Sequence, residues 1–292
     1  MNKIIKGVIV GACICIAVGF VLFIGAAAFG GLSGAREIMK DGGITIGVSS
    51  EDILEYDTAT ERTISLAGMD MPDLELELGA GKFEIIESDV KDIVVKSNKK
   101  VDVSADGDTI KIHTPKQFYF MKIGIGNEGN NVTIEVPRGM KFEDVEMQIG
   151  AGEMNCENIY SEKIRMEIGA GAIYVDSFTC EEAILSVGAG EISVEEGSAE
   201  DVDADVGMGN LIFHGKVLDN LDADCGMGNI QMWLEGSEKE HDYEIDCGMG
   251  NVVVGDNSYG GVAADQDIDN GADSKFDLDC GMGNLEIYFE GK

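Results

Sequence analysis

Carboxylates at fixed intervals are the residues of this chain best placed to do chemistry. Asp205, Asp224, Asp246 and Asp279 each stand two residues before a glycine that opens a Gly-Met-Gly tripeptide, and Asp203, Asp222, Glu244 and Asp277 stand four before it. Rows of carboxylate oxygens suit a hard cation such as calcium, which takes about six to eight oxygen ligands. Unbridged, like charges opposite one another in a sheet repel, so solvated and screened rows are the competing reading. A sharper calcium candidate is the set Asp265, Asp267 and Asp269 in Asp265-Gln266-Asp267-Ile268-Asp269-Asn270-Gly271, which has the D-x-D-x-D opening of a calcium loop. Its glycine comes one residue late, and Phe276 occupies the place of the closing bidentate Glu. A flexible acidic loop is the alternative. The repeats do not match the calcium-binding nonapeptide, in which the aspartate follows the glycines.

The motifs that look catalytic fail on their surroundings. Gly124-Ile125-Gly126-Asn127-Glu128-Gly129 has the dinucleotide spacing, but a strand ending in Val136-Pro137 follows where a helix is required. Gly79-Ala80-Gly81-Lys82 mimics the end of a phosphate loop, yet Phe83 replaces the Ser or Thr that would hold magnesium. No G-x-S-x-G or H-E-x-x-H is present, and His113, His214 and His241 sit in unrelated contexts that read as surface. The expectation is no enzyme, no catalytic residues and no cofactor beyond calcium. Cys225, Cys247 and Cys280 share one column, where neighbouring Cα atoms would lie within disulfide range. Small buried hydrophobes are the reading preferred for them.

The element that positions these columns is a glycine hinge. Gly-Ala-Gly early and Gly-Met-Gly late recur at Gly79, Gly150, Gly169, Gly188, Gly207, Gly226, Gly248 and Gly281, with the middle copies 19 residues apart and the last intervals 22 and 33. Alternating runs such as Val145-Glu146-Met147-Gln148-Ile149 precede each hinge and shorter ones follow, which is the period of strands with one buried face. The residue after the hinge reads Lys82, Glu153, Ala172, Glu191, then Asn210, Asn229, Asn251 and Asn284. Identical residues in a column fit parallel, in-register stacking, which sets each residue about 4.8 Å from its own equivalent. The predicted fold is all-β: a parallel β-solenoid of 19-residue coils with Gly-x-Gly corners. An antiparallel meander or sandwich is the alternative. Glycine suits the corner because it accepts positive φ where a Cβ would clash, and the asparagines would tolerate αL there and bond the backbone of the next coil as a ladder. Stacking in chain order places Asn229 between Asn210 and Asn251.

Residues 1–35 open with Lys3 and Lys6 and then run apolar, long enough to cross a bilayer with the N-terminus in the cytoplasm. Ala26-Ala27-Ala28 leaves cleavage as a signal open. A linker follows over 36–72, then a non-repetitive β head over 73–141, with an Asp106-Gly107 hairpin turn, and regular coils over 142–292. Extra residues collect between coils at Glu235–Asp242 and in an insert over 255–275, the edge of a repeat array where binding loops gather. Acidic residues outnumber basic ones 55 to 21, a formal charge of -34. That balance argues against a nucleic-acid partner, which needs a basic footprint.

The N-terminal anchor, the Val136-Pro137-Arg138-Gly139 segment and the Gly-Ala-Gly-Glu type repeats after it resemble the bacterial "putative adhesin" family of β-strand repeats over about residues 73 to 292. The resemblance implies an extracytoplasmic interaction or scaffold module of the cell envelope, anchored in the cell membrane, with an envelope protein or a glycan as partner. It carries no catalytic residues to transfer. The late Met-for-Ala corners and the Cys column depart from the pattern. A calcium-responsive acidic module and, more weakly, a carbohydrate-active β-helix enzyme are the other readings.

Overall fold

The structure, a computed structural model, describes residues 59–114, 130–260 and 264–291. The predicted anchor, most of the linker, the Gly124–Gly129 motif, Cys13 and Cys15 lie outside the described residues. The described residues belong to the unit formed by Leu54–Lys116 and Glu128–Lys292, and no α-helix occurs among them.

Alternation becomes strand wherever the sequence alternates. From the N-terminal side these are β1 (Thr60–Ile64), β2 (Asp73–Leu78), β3 (Gly81–Ser88), β4 (Ile93–Ser97), β5 (Asp102–Asp106), β6 (Thr109–His113) and β7 (Asn130–Pro137). The regular coils use β8 (Lys141–Ile149), β9 (Glu153–Ile168), β10 (Ala172–Thr179), β11 (Glu182–Val187), β12 (Glu191–Ala199), β13 (Asp201–Val206), β14 (Asn210–Val217), β15 (Leu221–Cys225) and β16 (Asn229–Glu235). The chain finishes with β17 (His241–Cys247), β18 (Asn251–Val254), β19 (Asn257–Gly260), β20 (Ala264–Ile268), β21 (Ser274–Cys280) and β22 (Asn284–Glu290). Strands before the hinges pair in parallel and in register, and so do strands after them, as in Asp203↔Asp222 and Leu211↔Ile230. The solenoid forms as expected. Its two walls face each other across a core of stacked columns, one running Leu76, Met147, Met166, Leu185, Ala204, Ala223, Leu278 and Ile245, each essentially without solvent exposure or nearly so.

Glycine is required at the corners by close approach more than by left-handed backbone. A Cβ at Gly228 would lie 2.4 Å from the carbonyl oxygen of Gly209, and one at Gly209 2.3 Å from that of Gly190. Those corners are absent from the positive-φ glycines, which do include Gly171 at +153°. Corner-to-corner hydrogen bonds hold the spacing, with Gly207 N–H donating to Val187 O and Gly226 N–H to Val206 O, both at 2.8 Å.

Stacking departs from chain order at both ends. β15 pairs with β21 and not with β17, and β21 then pairs with β17. Likewise β16 pairs with β22, and β22 with β18. The last coil in sequence is therefore the penultimate layer, and the coil hinged at Gly248 is the outermost. At the other end β2 and β3 lie between β6–β7 and β8–β9. The strands of the expected head are thus layers of the same stack. Each end is closed by antiparallel strands, β5 and β4 with β1 at one, β20 and β19 at the other.

This order accounts for the extra residues. The segment after β16, with a 3-10 turn at Glu238–Glu240, must climb two layers, about 9.6 Å at one sheet spacing per layer. The insert forms the two cap strands and returns the chain to the vacant layer. Both stretches are connections that the topology requires.

Candidate functional site: the outer faces of the stack

The parallel register assembles the carboxylates into two adjoining columns. One runs Asp203, Asp222, Asp277, Glu244, and the other Asp205, Asp224, Asp279, Asp246. β20 adds a member to each, since Asp267 stands opposite Glu244 and Asp265 opposite Asp246. Of the predicted calcium set, Asp265 and Asp267 are therefore exposed on one strand and join the columns. Asp269 lies beyond the strand and accepts the N–H of Gly271 at 2.9 Å, as a turn residue does. Among the described residues no cluster of His, Cys, Asp and Glu is arranged to hold a metal ion.

Crowding of like charge is felt most at the middle of the second column. Burial, then the charges of Asp224, Asp277 and Asp246, push the Asp279 carboxyl up to about 6. It shares a hydrogen bond with Asp224. Relief comes from Lys275, which pairs with Glu244 and faces Asp277 and Asp267. The hydrogen bond from Lys275 holds the Glu244 carboxyl below the usual range. Lys275 also lines a shallow depression with Asp201, Asp203, Asp222 and Asp277.

The opposite wall carries a different outer face. His214 stacks on Trp233 at 4.5 Å between ring centroids and 6° between planes, and Trp233 stacks on Tyr288 at 5.8 Å. These rings occupy one register column. Beside them Gln231 donates to Glu286 at 2.7 Å, as does Asn284. The aromatic column was missed in the sequence although its signal was there: each ring stands seven residues past a hinge glycine, at Gly207, Gly226 and Gly281.

The predicted asparagine ladder is present, with one change of order and one of chemistry. Asn210 donates to Glu191 at 3.1 Å, Asn229 to Asn210 at 2.9 Å, Asn284 to Asn229 at 3.2 Å and Asn251 to Asn284 at 3.3 Å. Asn284, not Asn251, is the next layer after Asn229. The amides bond one another side chain to side chain, and the asparagines open strands in place of the αL corner expected of them.

His241 and the column cysteines take inward roles. His241 is buried, against the surface position expected of it. Its ring stacks at 4.0 Å on Phe276, and Nδ1 lies 2.6 Å from Ser274 Oγ. Ser274 donates to the carbonyl of Asp219, which leaves its oxygen to accept from Nδ1–H. Burial lowers the pKa of His241 and favours the neutral ring. Cys225, Cys280 and Cys247 adjoin in that order in one buried column, all as free thiols. Burial pushes the Cys280 thiol up to about 12 and raises that of Cys225, so these two have little thiolate character, and all three side chains are packing material.

Residues 60–271 match the family model described as Toastrack DUF4097. The chain belongs to that family. Among solved structures, the Toastrack chain is similar to a "putative adhesin" from Parabacteroides distasonis ATCC 8503, with 12% identity, 79% of this chain and 97% of that one covered and a TM-score of 0.46. A "putative adhesin" from Bacteroides fragilis NCTC 9343 gives 15% identity, coverage of 80% and 98% and a TM-score of 0.43. A "putative lipid binding protein", also from Parabacteroides distasonis ATCC 8503, gives 14% identity, coverage of 78% and 96% and a TM-score of 0.29. No curated protein matches the Toastrack chain.

Proposed function

We propose that this Toastrack protein is an adhesin-like binding and scaffold module of the bacterial cell envelope, tethered to the membrane by residues 1–35 with its β stack outside the cytoplasm. The supporting observation is the distribution of side chains. Carboxylates run in register along one outer face, and His214, Trp233 and Tyr288 form a stacked aromatic column on the other. Such faces recognise by area, through aromatic anchors and complementary charge. They are suited to an envelope protein or glycan and not to turnover of a substrate, so the protein is proposed as a non-enzyme. The test is retention of purified envelope glycan and of envelope proteins by the immobilised full-length chain. Trp233→Ala with Tyr288→Ala, or Asp224→Asn with Asp279→Asn, is expected to reduce retention at least tenfold for the face concerned, with melting temperatures within a few degrees of the parent. Retention unchanged by both pairs would overturn the proposal.

A second reading, a calcium-responsive acidic module, is favoured by Asp265 and Asp267 extending both columns at the cap. Calcium that bound only the folded chain would stabilise it by about 2.7 kcal/mol at a hundredfold excess over its dissociation constant. A melting temperature indifferent to millimolar calcium, and lowered by neither Asp265→Asn nor Asp267→Asn in its presence, would remove this reading.

A further inference from the structure

The tip of each Gly-x-Gly corner points away from the core, and the register stacks these tips along one edge. In layer order the late tips are Met208, Met227, Met282 and Met249. Met227 N–H donates to Gly207 O at 2.8 Å, Met282 N–H to Gly226 O at 2.7 Å and Met249 N–H to Gly281 O at 2.7 Å, so each methionine sits one sheet spacing from the next. The side chains are open to solvent, 44%, 50%, 55% and 67% exposed in that order. They make up most of the large apolar side chains exposed among the described residues.

The fold does not need them. In the preceding layers the same tip is alanine, and the backbone bonds are unchanged: Ala170 N–H to Gly150 O at 2.9 Å and Ala189 N–H to Gly169 O at 2.8 Å. Methionine at the tip adds a largely exposed apolar chain without adding a backbone hydrogen bond. What it supplies is a soft, polarisable sulfur on a side chain with three rotatable bonds. Two or three such sulfurs on neighbouring layers can swing together over a single ion, which fixed groups at the sheet spacing could not do. The electrostatics favour a cation there, because Asp205, Asp224, Asp279 and Asp246 stand two residues upstream of the same hinges, on the adjoining face.

We infer that the ridge of Met208, Met227, Met282 and Met249 is a binding site for a soft monovalent cation, copper(I) or silver(I), held by two or three thioethers at a time. Thioethers select copper(I) over hard cations such as calcium and magnesium. They carry no proton to lose, so the ligands themselves do not compete with protons between about pH 5 and 8, whereas thiolate or carboxylate ligation weakens as pH falls. The site is separate from the buried thiols, which lie on the core side of the hinge.

The probe is silver(I), which is stable without a reductant, titrated into the full-length chain against a competing chelator. A parallel experiment follows the methyl resonances of the chain labelled at the methionine methyl carbon. The parent is expected to bind silver, and the four ridge methyls to shift. Replacing all four residues by Leu keeps the apolar ridge and removes sulfur, and is expected to abolish this binding with the melting temperature unchanged. Met227→Leu or Met282→Leu alone is expected to weaken it by about tenfold, at least what loss of an outer-shell partner costs a metal site. Met→Ala at the same four tips, already tolerated in the upstream layers, repeats the loss if Leu disturbs packing. The cysteines are common to all variants, so the difference reports the thioethers. Silver bound equally by parent and fourfold Leu variant, or ridge methyls that do not move, would overturn the inference.

Discussion

The layers hinged at Gly150, Gly169 and Gly188 and those hinged at Gly207, Gly226, Gly281 and Gly248 share one backbone and differ in almost every outward column. In the early group the pre-hinge column reads Glu146, Arg165, Ile184, and its neighbour Gln148, Glu167, Ser186. Charges there are mixed and paired, with Lys163 on Glu182 at 2.7 Å and Arg165 by Glu167 at 3.8 Å. In the late group the same columns are all acid, the corner tip changes from Ala to Met, and the residue after the corner becomes Asn. The bonds donated by the first hinge glycine and by the tip keep lengths of 2.7 to 2.9 Å in both, while the bond donated by the next residue reaches 3.2 Å at Asn251 in the late group. The corner glycines and the inward apolar residues therefore set the geometry, and the outward columns are free to carry function.

The largest expected effect tests that division within one tripeptide. Gly228→Ala would place a methyl 2.4 Å from a backbone oxygen and 2.6 Å from Val206 Cγ1, where neither neighbour can retreat without moving a layer. Overpacking a dense core costs about 1–3 kcal/mol, and a clash with backbone is expected at or beyond the top of that range. Met227→Ala, one residue earlier, removes only an exposed side chain and is expected within about 0.5 kcal/mol of the parent. Denaturant unfolding of the two variants measures the contrast. A mild Gly228→Ala would show that the layers can slide apart and that the corner glycines do not set the geometry.

A middle-sized effect concerns the ladder that the early layers lack. Asn229 gives one amide bond to Asn210 and takes one from Asn284. Each is worth about 0.5–1.5 kcal/mol net, so Asn229→Ala is expected to cost about 1–2 kcal/mol. Ala172 is its early counterpart and holds its place in the same column through backbone bonds alone. An Asn229→Ala chain as stable as the parent would mean that the ladder serves something other than stability.

Much of this was legible because a period fixes neighbours. Columns of identical residues such as Asn210 and Asn229 announce parallel register, and the alternation before each hinge announces which side chains point inward. The order of the last two layers was not legible. The coils at Gly248 and Gly281 carry the same Asp, Cys, Met and Asn columns, so either fits either layer, and only the longer interval before Gly281 hints at a chain that travels out and back. Asp265 and Asp267 were misplaced into a loop for the same reason, since β20 pairs antiparallel and outside the period. His241 shares the inward alternation of Tyr243, Ile245 and Cys247, a signal its unrelated context hid, and its burial comes from Phe276 and Ser274, more than thirty residues later in the adjoining layer.

The smallest effect is the most discriminating, because its sign differs between the two groups. The Asp279 carboxyl is held up at about 6, above the ~3.9 of an unfolded chain. The native state therefore binds more protons than the unfolded one between about pH 4 and 6, so this group's contribution to stability falls as pH rises through that window and is level above it. Asp279→Asn removes the repelled charge and, in EDTA at pH 7, is expected to stabilise by a few tenths to about 1 kcal/mol, with the advantage vanishing by about pH 4. Glu167 occupies the same register column in the early group, beside Arg165. Glu167→Gln gives up an exposed pair and is expected to be neutral or to lose up to about 1 kcal/mol. Thermal melts of both variants across pH 4 to 8 decide it. If Asp279→Asn destabilises at pH 7, the acidic columns are bound together by their contacts and are not held apart against their charge, and the contrast between the two groups reduces to composition.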